Sequence, residues 1–290
     1  MRYRSDFRSA VVDILIITIL TLALAAWLYP FIFVISSSIS HPGALLQGRV
    51  RLFPVDLDFT AYRTVIAQPL MGKAFLNSVI YTTGRSVLAL VLLAPLAYAL
   101  SHKALKGKGI LVGLLLVTML FHAGIIPNFL TVQALGLIDT RWAMILPQLF
   151  QFWYVILLRT SFAGIPEELK ESAYLDGAEE WTVFTKIVLP LSKPILVTVG
   201  LFAAVAAWND FFSALLYLQD RVYWPLTIIL RNFVLSMSIP DIQGFGGQEM
   251  GLVIQAQMAI IVVSAIPMVA LYPVLQRYFT KGIMIGAVKG

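Results

Sequence analysis

Residues 171–190 read ESAYLDGAEEWTVFTKIVLP, a polar stretch in the middle of a chain that is 59% hydrophobic. Six acidic residues lie between Glu167 and Glu180, although charged residues make up 12% of the whole chain. Long apolar runs precede and follow this stretch. Because charge is costly inside a membrane, this stretch is predicted to lie in water, where it can bind a partner.

The apolar residues occur in runs that are long enough to cross a membrane. The mean hydropathy is +0.86, far above that of a soluble domain, and about 20 apolar residues cross a hydrocarbon core of roughly 30 Å. Six runs qualify, at about 11–36, 75–101, 109–131, 142–160, 193–218 and 255–276. The sequence therefore predicts an all-α, polytopic membrane protein with six transmembrane helices in a single domain, 1–290.

Lysine and arginine are distributed unequally between the two sides that six spans would create. Thirteen of them lie at the two termini, between spans two and three, and beside the central loop 161–192, whereas seven lie in the opposite segments. Cytoplasmic segments carry the excess of these residues. Both termini and the central loop are therefore predicted to be cytoplasmic, and the net charge of +6 follows from this topology without indicating nucleic-acid binding.

The central loop has the pattern of two short helices joined by a turn. Pro166 followed by acidic residues is typical of a helix N-terminus, so a helix is predicted over Glu167 to Leu175. Gly177 is placed to end that helix and turn the chain. A second helix is predicted from about Trp181, which makes the loop a hairpin whose apolar residues, including Phe184, suit a groove on a partner.

The same loop carries a recognisable signature. The pattern Glu171-x-Ala173, three residues, Gly177, nine residues, Ile187-x-Leu189-Pro190 resembles the EAA signature of ABC importer membrane subunits, with Ser172 where the family usually has alanine. The six predicted spans and the QRYFTKGI sequence at 276–283 complete the likeness to carbohydrate-importer permeases of the maltose-permease type. The likeness covers essentially the whole chain, and it is closest to a subgroup for oligosaccharide and polysaccharide import, including alginate.

This resemblance implies that several chains form one transporter and that each has a different function. The hairpin would be a coupling helix that docks in a separate ABC ATPase dimer, which binds ATP and Mg, so this chain would hold no cofactor and would not be an enzyme. The other partners would be a homologous second permease, forming a heterodimer, and an external solute-binding protein, all at the bacterial inner membrane. The implied docking residues are Glu171, Ser172, Ala173, Tyr174, Leu175, Asp176, Gly177, Ala178, Ile187, Leu189 and Pro190.

Polar and aromatic residues within the spans indicate a path for a sugar or oligosaccharide. Such residues normally face a cavity or one another, and amides, acids and aromatic rings match sugar hydroxyls and rings. The candidates are Trp153, Tyr154, Trp208, Asn209, Asp210, Arg85 and His122. Other interpretations remain open: Asn209 and Asp210 could be a structural hydrogen-bonding pair between helices, and Arg85 could snorkel or pair with an acid.

Other functional classes lack their characteristic residues in this sequence. There is no cysteine and no His-x-x-x-His pair, so a metal site is not expected. No Gly-x-x-x-x-Gly-Lys-Ser/Thr sequence occurs, so ATP hydrolysis is expected in another chain. The alternative functions are an intramembrane enzyme, which would need paired catalytic groups, and a secondary transporter, which would be expected to have repeated halves.

Overall fold

The computed structural model describes residues 7–121, 123–235 and 247–287, and regular structure in these ranges is helical. The β structure described there is an isolated antiparallel bridge between Ser40 and Leu57, so the all-α prediction holds for this part of the chain. The α-helices are α1 (Phe7–Ser38), α2 (Pro42–Leu46), α3 (Thr60–Ala67), α4 (Pro69–Ser101), α5 (Lys108–Leu120), α6 (Ile125–Ala134), α7 (Trp142–Ile145), α8 (Phe152–Ala163), α9 (Glu167–Leu175), α10 (Glu180–Val183), α11 (Leu189–Leu191), α12 (Lys193–Trp208), α13 (Phe211–Tyr217), α14 (Leu226–Leu235) and α15 (Gly247–Ala287).

Three helices contain apolar segments that are long enough to cross a membrane. The segments Val11–Ser38, Pro69–Ser101 and Met250–Leu271 have 28, 33 and 22 residues. At 1.5 Å per residue, even the shortest is about 33 Å long. They correspond to the predicted spans one, two and six, and their bounds differ from the predicted ones by a few residues.

The predicted spans three, four and five are interrupted in the structure. Span three consists of α5 and α6, whose axes differ by 109°, and Gly124 between them has a φ of 84°, which glycine adopts without strain. Span four consists of α7 and α8 on either side of 146–151, a segment that contains Pro147. Span five breaks where the Asp210 side chain caps α13.

Counting each strongly bent pair of helices as one span gives five candidate spans in the described residues. The six-span prediction therefore remains a prediction.

By internal contacts the chain divides into two compact units, Met1–Pro69 with Leu230–Ile266 and Leu70–Ile229 with Pro267–Gly290. The prediction of one domain likewise remains a prediction.

The first unit is held together by buried serines at the end of α1. The Ser36 hydroxyl donates to the carbonyl of Leu52 at 2.8 Å, and Ser38 and Tyr62 share a hydrogen bond of the same length. The amide of Gln255 in α15 donates to the carbonyl of Asp58. These bonds attach the segment between α1 and α4 to the helices on which it lies.

The second unit has an apolar core that supports the central loop. α4, α8 and α12 contribute buried side chains such as Leu93, Leu158 and Val199. The π-helical turn Phe184–Val188, which joins α10 to α11, contributes Val188 to the same cluster. The central loop therefore has a folded position on this unit and is anchored by its own apolar residues.

Candidate functional site

The first arm of the central loop is α9, and its end is defined by backbone hydrogen bonds. α9 covers Glu167–Leu175, the predicted bounds, and Gly177 follows with a φ of 80°. The Gly177 N–H donates to the carbonyl of Tyr174, and the Ala178 N–H donates to the carbonyl of Ala173. This pair of bonds is a Schellman motif, in which the residue at the glycine position must be left-handed.

The second arm runs from Glu180 to Leu191 and packs on the core of the second unit. Val183 and Val188 are fully buried, and Phe184 is 3% exposed. The Phe184 ring stacks on Tyr98 of α4, with 4.9 Å between the ring centroids. The expectation that Phe184 faces a partner was therefore wrong, because its position on the helix turns it toward α4.

The residues of the EAA signature separate into an exposed set and an anchoring set. Leu175 is 89% exposed at the tip of the loop, next to the Gly177 turn. The exposed set comprises Glu171, Ser172, Tyr174, Leu175, Asp176, Gly177 and Pro190. The half-buried set, which packs against the core of the second unit, comprises Ala173, Ala178, Ile187 and Leu189. The exposed set is the part of the signature that another protein could contact.

Sequence reasoning missed the polar residue that holds the two arms together. The Glu180 carboxylate accepts hydrogen bonds from the hydroxyls of Tyr98 and Tyr174, and it lies 3.1 Å from Nε2 of His102. Its spacing of four residues from Phe184 places both on one face of the helix. That spacing could have placed Glu180 beside Phe184, but its contact with Tyr98, 82 positions away, has no local signal in the sequence.

Two carboxyl groups of the loop have lowered pKa values. The hydrogen bond from Lys103 holds the pKa of Glu167 below its usual value. Burial raises the pKa of Glu180, but the hydrogen bonds from the two tyrosines, together with the nearby His102 and Lys170, outweigh burial and leave the pKa lowered. Both carboxylates are therefore ionised at neutral pH, and their bonds are lost as the pH falls through those lowered pKa values.

A polar cavity of about 250 Å³ lies between helices of the second unit. Its polar lining consists of Arg85 from α4, Gln148 and Gln151 from the segment before α8, and Tyr154 from α8. Guanidinium, amide and phenol groups all form hydrogen bonds with hydroxyl or carboxylate oxygens. This lining is chemically suited to a polar ligand at the depth of the predicted spans.

Arg85 forms a buried ion pair with Asp210. Nη2 of Arg85 lies 2.8 Å from a carboxylate oxygen of Asp210, and the two side chains are 3% and 7% exposed. The other carboxylate oxygen of Asp210 accepts the backbone N–H of Ser213, whose hydroxyl accepts from Gln148. Nε and Nη1 of Arg85 are buried without a hydrogen-bond acceptor among the described residues. The pairing of Arg85 with an acid, one of the alternatives from the sequence, is confirmed.

The predicted pathway residues are only partly brought together. Arg85 and Tyr154 line the cavity, and Asp210 is bound to Arg85. Within the described residues, the cavity lining does not include the other candidates. Trp153 is half exposed, Trp208 is buried edge-on to Phe75, the Asn209 amide donates to its own helix at Val205, and His122 lies outside the described residues.

Comparison with known proteins gives one family over nearly the whole chain. The profile of the family described as "Binding-protein-dependent transport system inner membrane component" matches residues 1–285. Two similar proteins come from Bacillus subtilis (strain 168). Protein LplC is 37% identical over 270 residues, which cover 92% of this chain and 90% of LplC. The polygalacturonan/rhamnogalacturonan transport system permease protein YtcP is 38% identical over 280 residues, which cover 96% of this chain and 98% of YtcP.

A solved structure shows the same likeness in three dimensions. One chain of a bacterial ABC transporter involved in the import of the acidic polysaccharide alginate superposes with a TM-score of 0.89 and 34% sequence identity. The match covers 94% of this chain and 98% of that chain. The similarity therefore extends over nearly the whole chain and is not confined to the central loop.

Proposed function

Because the chain belongs to the family of binding-protein-dependent transport system inner membrane components, we propose that it forms half of the translocation pathway of an ATP-driven importer. It is the permease component of a carbohydrate ABC importer. A homologous second permease forms the other half, an external binding protein delivers the sugar, and two ATPase subunits bind ATP and Mg. Closure of the ATPase dimer moves the central loop and switches the pathway between inward and outward access.

The exposed set of the EAA signature is the observation that supports docking of an ATPase subunit. An apolar residue that is 89% exposed at a loop tip, beside acidic residues and a fixed glycine turn, is what a small helix-in-groove contact requires. The half-buried residues of the signature hold the loop on the core. The excess of lysine and arginine beside the loop supports a cytoplasmic position for both arms.

Replacing Leu175 by glutamate tests this docking directly. We expect Leu175→Glu to reduce co-purification of the ATPase subunit about tenfold or more, because a central apolar anchor contributes on the order of 2 kcal/mol to an interface. The thermal stability of the permease should not change, since Leu175 packs on little of its own chain. The control is Leu135→Glu, another exposed leucine (67% exposed) outside the loop. Unchanged co-purification with Leu175→Glu would contradict docking at this tip.

The cavity lining and the two likenesses together suggest the class of cargo. YtcP is named for polygalacturonan and rhamnogalacturonan, and the solved transporter imports an acidic polysaccharide. The cavity beside Arg85 provides hydrogen-bond donors for hydroxyl and carboxylate oxygens. The proposed cargo is therefore an oligosaccharide that contains uronic acids.

A panel of saccharides tests this cargo. The complete importer in proteoliposomes, supplied with its binding protein, should hydrolyse ATP faster with oligogalacturonate or oligoalginate than with neutral galacto-oligosaccharides of the same length. The reason is that desolvated carboxylates need the charge-assisted hydrogen bonds that a guanidinium supplies. Equal stimulation by neutral and acidic chains would leave the importer assignment standing and refute the acidic cargo.

A further inference from the structure

Glu180 connects three helices through two different carboxylate oxygens. Oε1 accepts from the hydroxyl of Tyr98, in α4, and lies 3.1 Å from Nε2 of His102, just after α4. Oε2 accepts from the hydroxyl of Tyr174, in α9, at 2.7 Å. Glu180 itself is the first residue of α10. One side chain therefore joins both arms of the central loop to span two.

Tyr98 receives further contacts from both arms of the loop. Phe184, one turn after Glu180, stacks on its ring, and Nζ of Lys170 in α9 lies 6.0 Å from the ring centroid. Lys170 is 8% exposed although it lies on a surface helix. Stacked rings and a cation over a ring each add favourable contact. The loop is therefore attached to this point of α4 by several independent contacts.

α4 connects this point with the polar cavity. Tyr98 and Arg85 lie on the same helix, and their separation of 13 positions corresponds to about 20 Å at 1.5 Å per residue. Arg85 lines the cavity and pairs with Asp210 at the break in span five. α4 is one helix over Pro69–Ser101 with Pro95 between these two positions, so a shift at Tyr98 reaches Arg85 along a single element that can bend at Pro95.

We propose that Glu180, Tyr98 and Tyr174 form a clasp that makes α4 move together with the docking loop, so that Glu180 is a positioning residue for coupling. This proposal rests on the proposed function, since it requires an ATPase subunit that moves the loop. The Glu180 side chain is 57% exposed, and exposed ionic contacts contribute little to folding stability. A Glu180 variant should therefore stay folded, so that a change in its transport reports on coupling.

The chain itself provides a matched control in Glu167. Its carboxylate pairs with Lys103, also just after α4, and both side chains are more than half exposed. Glu167 is thus a second loop carboxylate bonded to the same end of span two, but its hydrogen bond is to a flexible lysine, whereas Glu180 bonds to two tyrosines. Glu167→Gln should leave coupling unchanged, whereas Glu180→Gln should not.

Two measurements on the complete importer test the clasp. The first is the number of saccharide molecules transported per ATP hydrolysed, which we expect to fall about threefold or more in Glu180→Gln, the range found for coupling residues. The second uses spin labels on cysteines introduced at the exposed positions Leu169 and Val91, since the natural chain has no cysteine. Addition of MgATP should leave this loop-to-α4 distance unchanged in the parent chain and shift or broaden it in Glu180→Gln.

Tyr98→Phe provides a second route to the same result. It removes the hydroxyl donor and keeps the ring that Phe184 contacts, so the fold should be retained. Parent-like transport per ATP and a parent-like distance in both Glu180→Gln and Tyr98→Phe would overturn the clasp. If no ATPase co-purifies with the parent chain and MgATP changes nothing in any variant, the proposed function itself fails, which is a distinguishable outcome.

Discussion

Gly177→Val is expected to abolish transport while leaving the rest of the permease folded. Gly177 has a φ of 80°, and the Schellman bonds at the end of α9 require that conformation. A β-branched residue in the left-handed region costs on the order of 1–3 kcal/mol, although a Cβ at this position meets no neighbouring atom within 4 Å. The turn should therefore rearrange and displace Leu175 and Asp176 from the ATPase groove. The measurement is ATP-dependent uptake in proteoliposomes, together with ATPase co-purification.

Gly136→Val separates the effect of docking from that of backbone strain. Gly136 has a φ of 66°, and a Cβ there also meets no atom within 4 Å, so the local cost should be similar. It lies between α6 and α7, outside the central loop. We expect Gly136→Val to keep ATPase binding and Gly177→Val to lose it. If Gly177→Val transports like the parent chain, the loop is not the coupling element.

Removing one member of the Arg85–Asp210 pair is expected to destabilise the permease strongly. Arg85→Gln leaves the buried Asp210 carboxylate without its cation, and Asp210→Asn leaves the buried Arg85 guanidinium without its anion. Either substitution should lower the free energy of unfolding by about 3–5 kcal/mol. The double substitution removes both charges and leaves two amides that can hydrogen-bond to each other, so no uncompensated charge stays buried. Thermal unfolding in detergent should therefore show two destabilised single variants and a double variant close to the parent.

Transport by the same double variant shows whether the pair also serves the pathway. If Arg85 contributes to a polar path for acidic saccharides, the folded double variant should import oligogalacturonate more slowly than the parent. A double variant with parent-like stability and parent-like uptake would assign the pair a purely structural role. Single variants that unfold at the parental temperature would contradict the burial on which the prediction depends.

Local sequence signals predicted the central loop well. Pro166 and the acidic residues after it mark the start of α9, and Gly177 marks its end, because helix caps depend on a few neighbouring residues. The long apolar runs likewise located α1, α4 and α15. The breaks at Gly124 and Asp210 were not predicted, because apolar composition alone does not distinguish one continuous helix from two shorter ones.

From its sequence alone the chain is recognisable as a helical membrane protein of the carbohydrate-importer permease type, with the segment from Glu171 to Pro190 as its distinctive loop. These properties depend on composition, charge distribution and local spacing. The tertiary structure was needed to show that Phe184 is buried, that Glu180 binds Tyr98 and that Arg85 pairs with Asp210. Those partners are 82 and 125 positions apart in the chain, and no local periodicity encodes a contact between residues so distant in sequence. The signature could therefore be recognised from the sequence, but the contacts that attach the loop to span two are seen only in the tertiary structure.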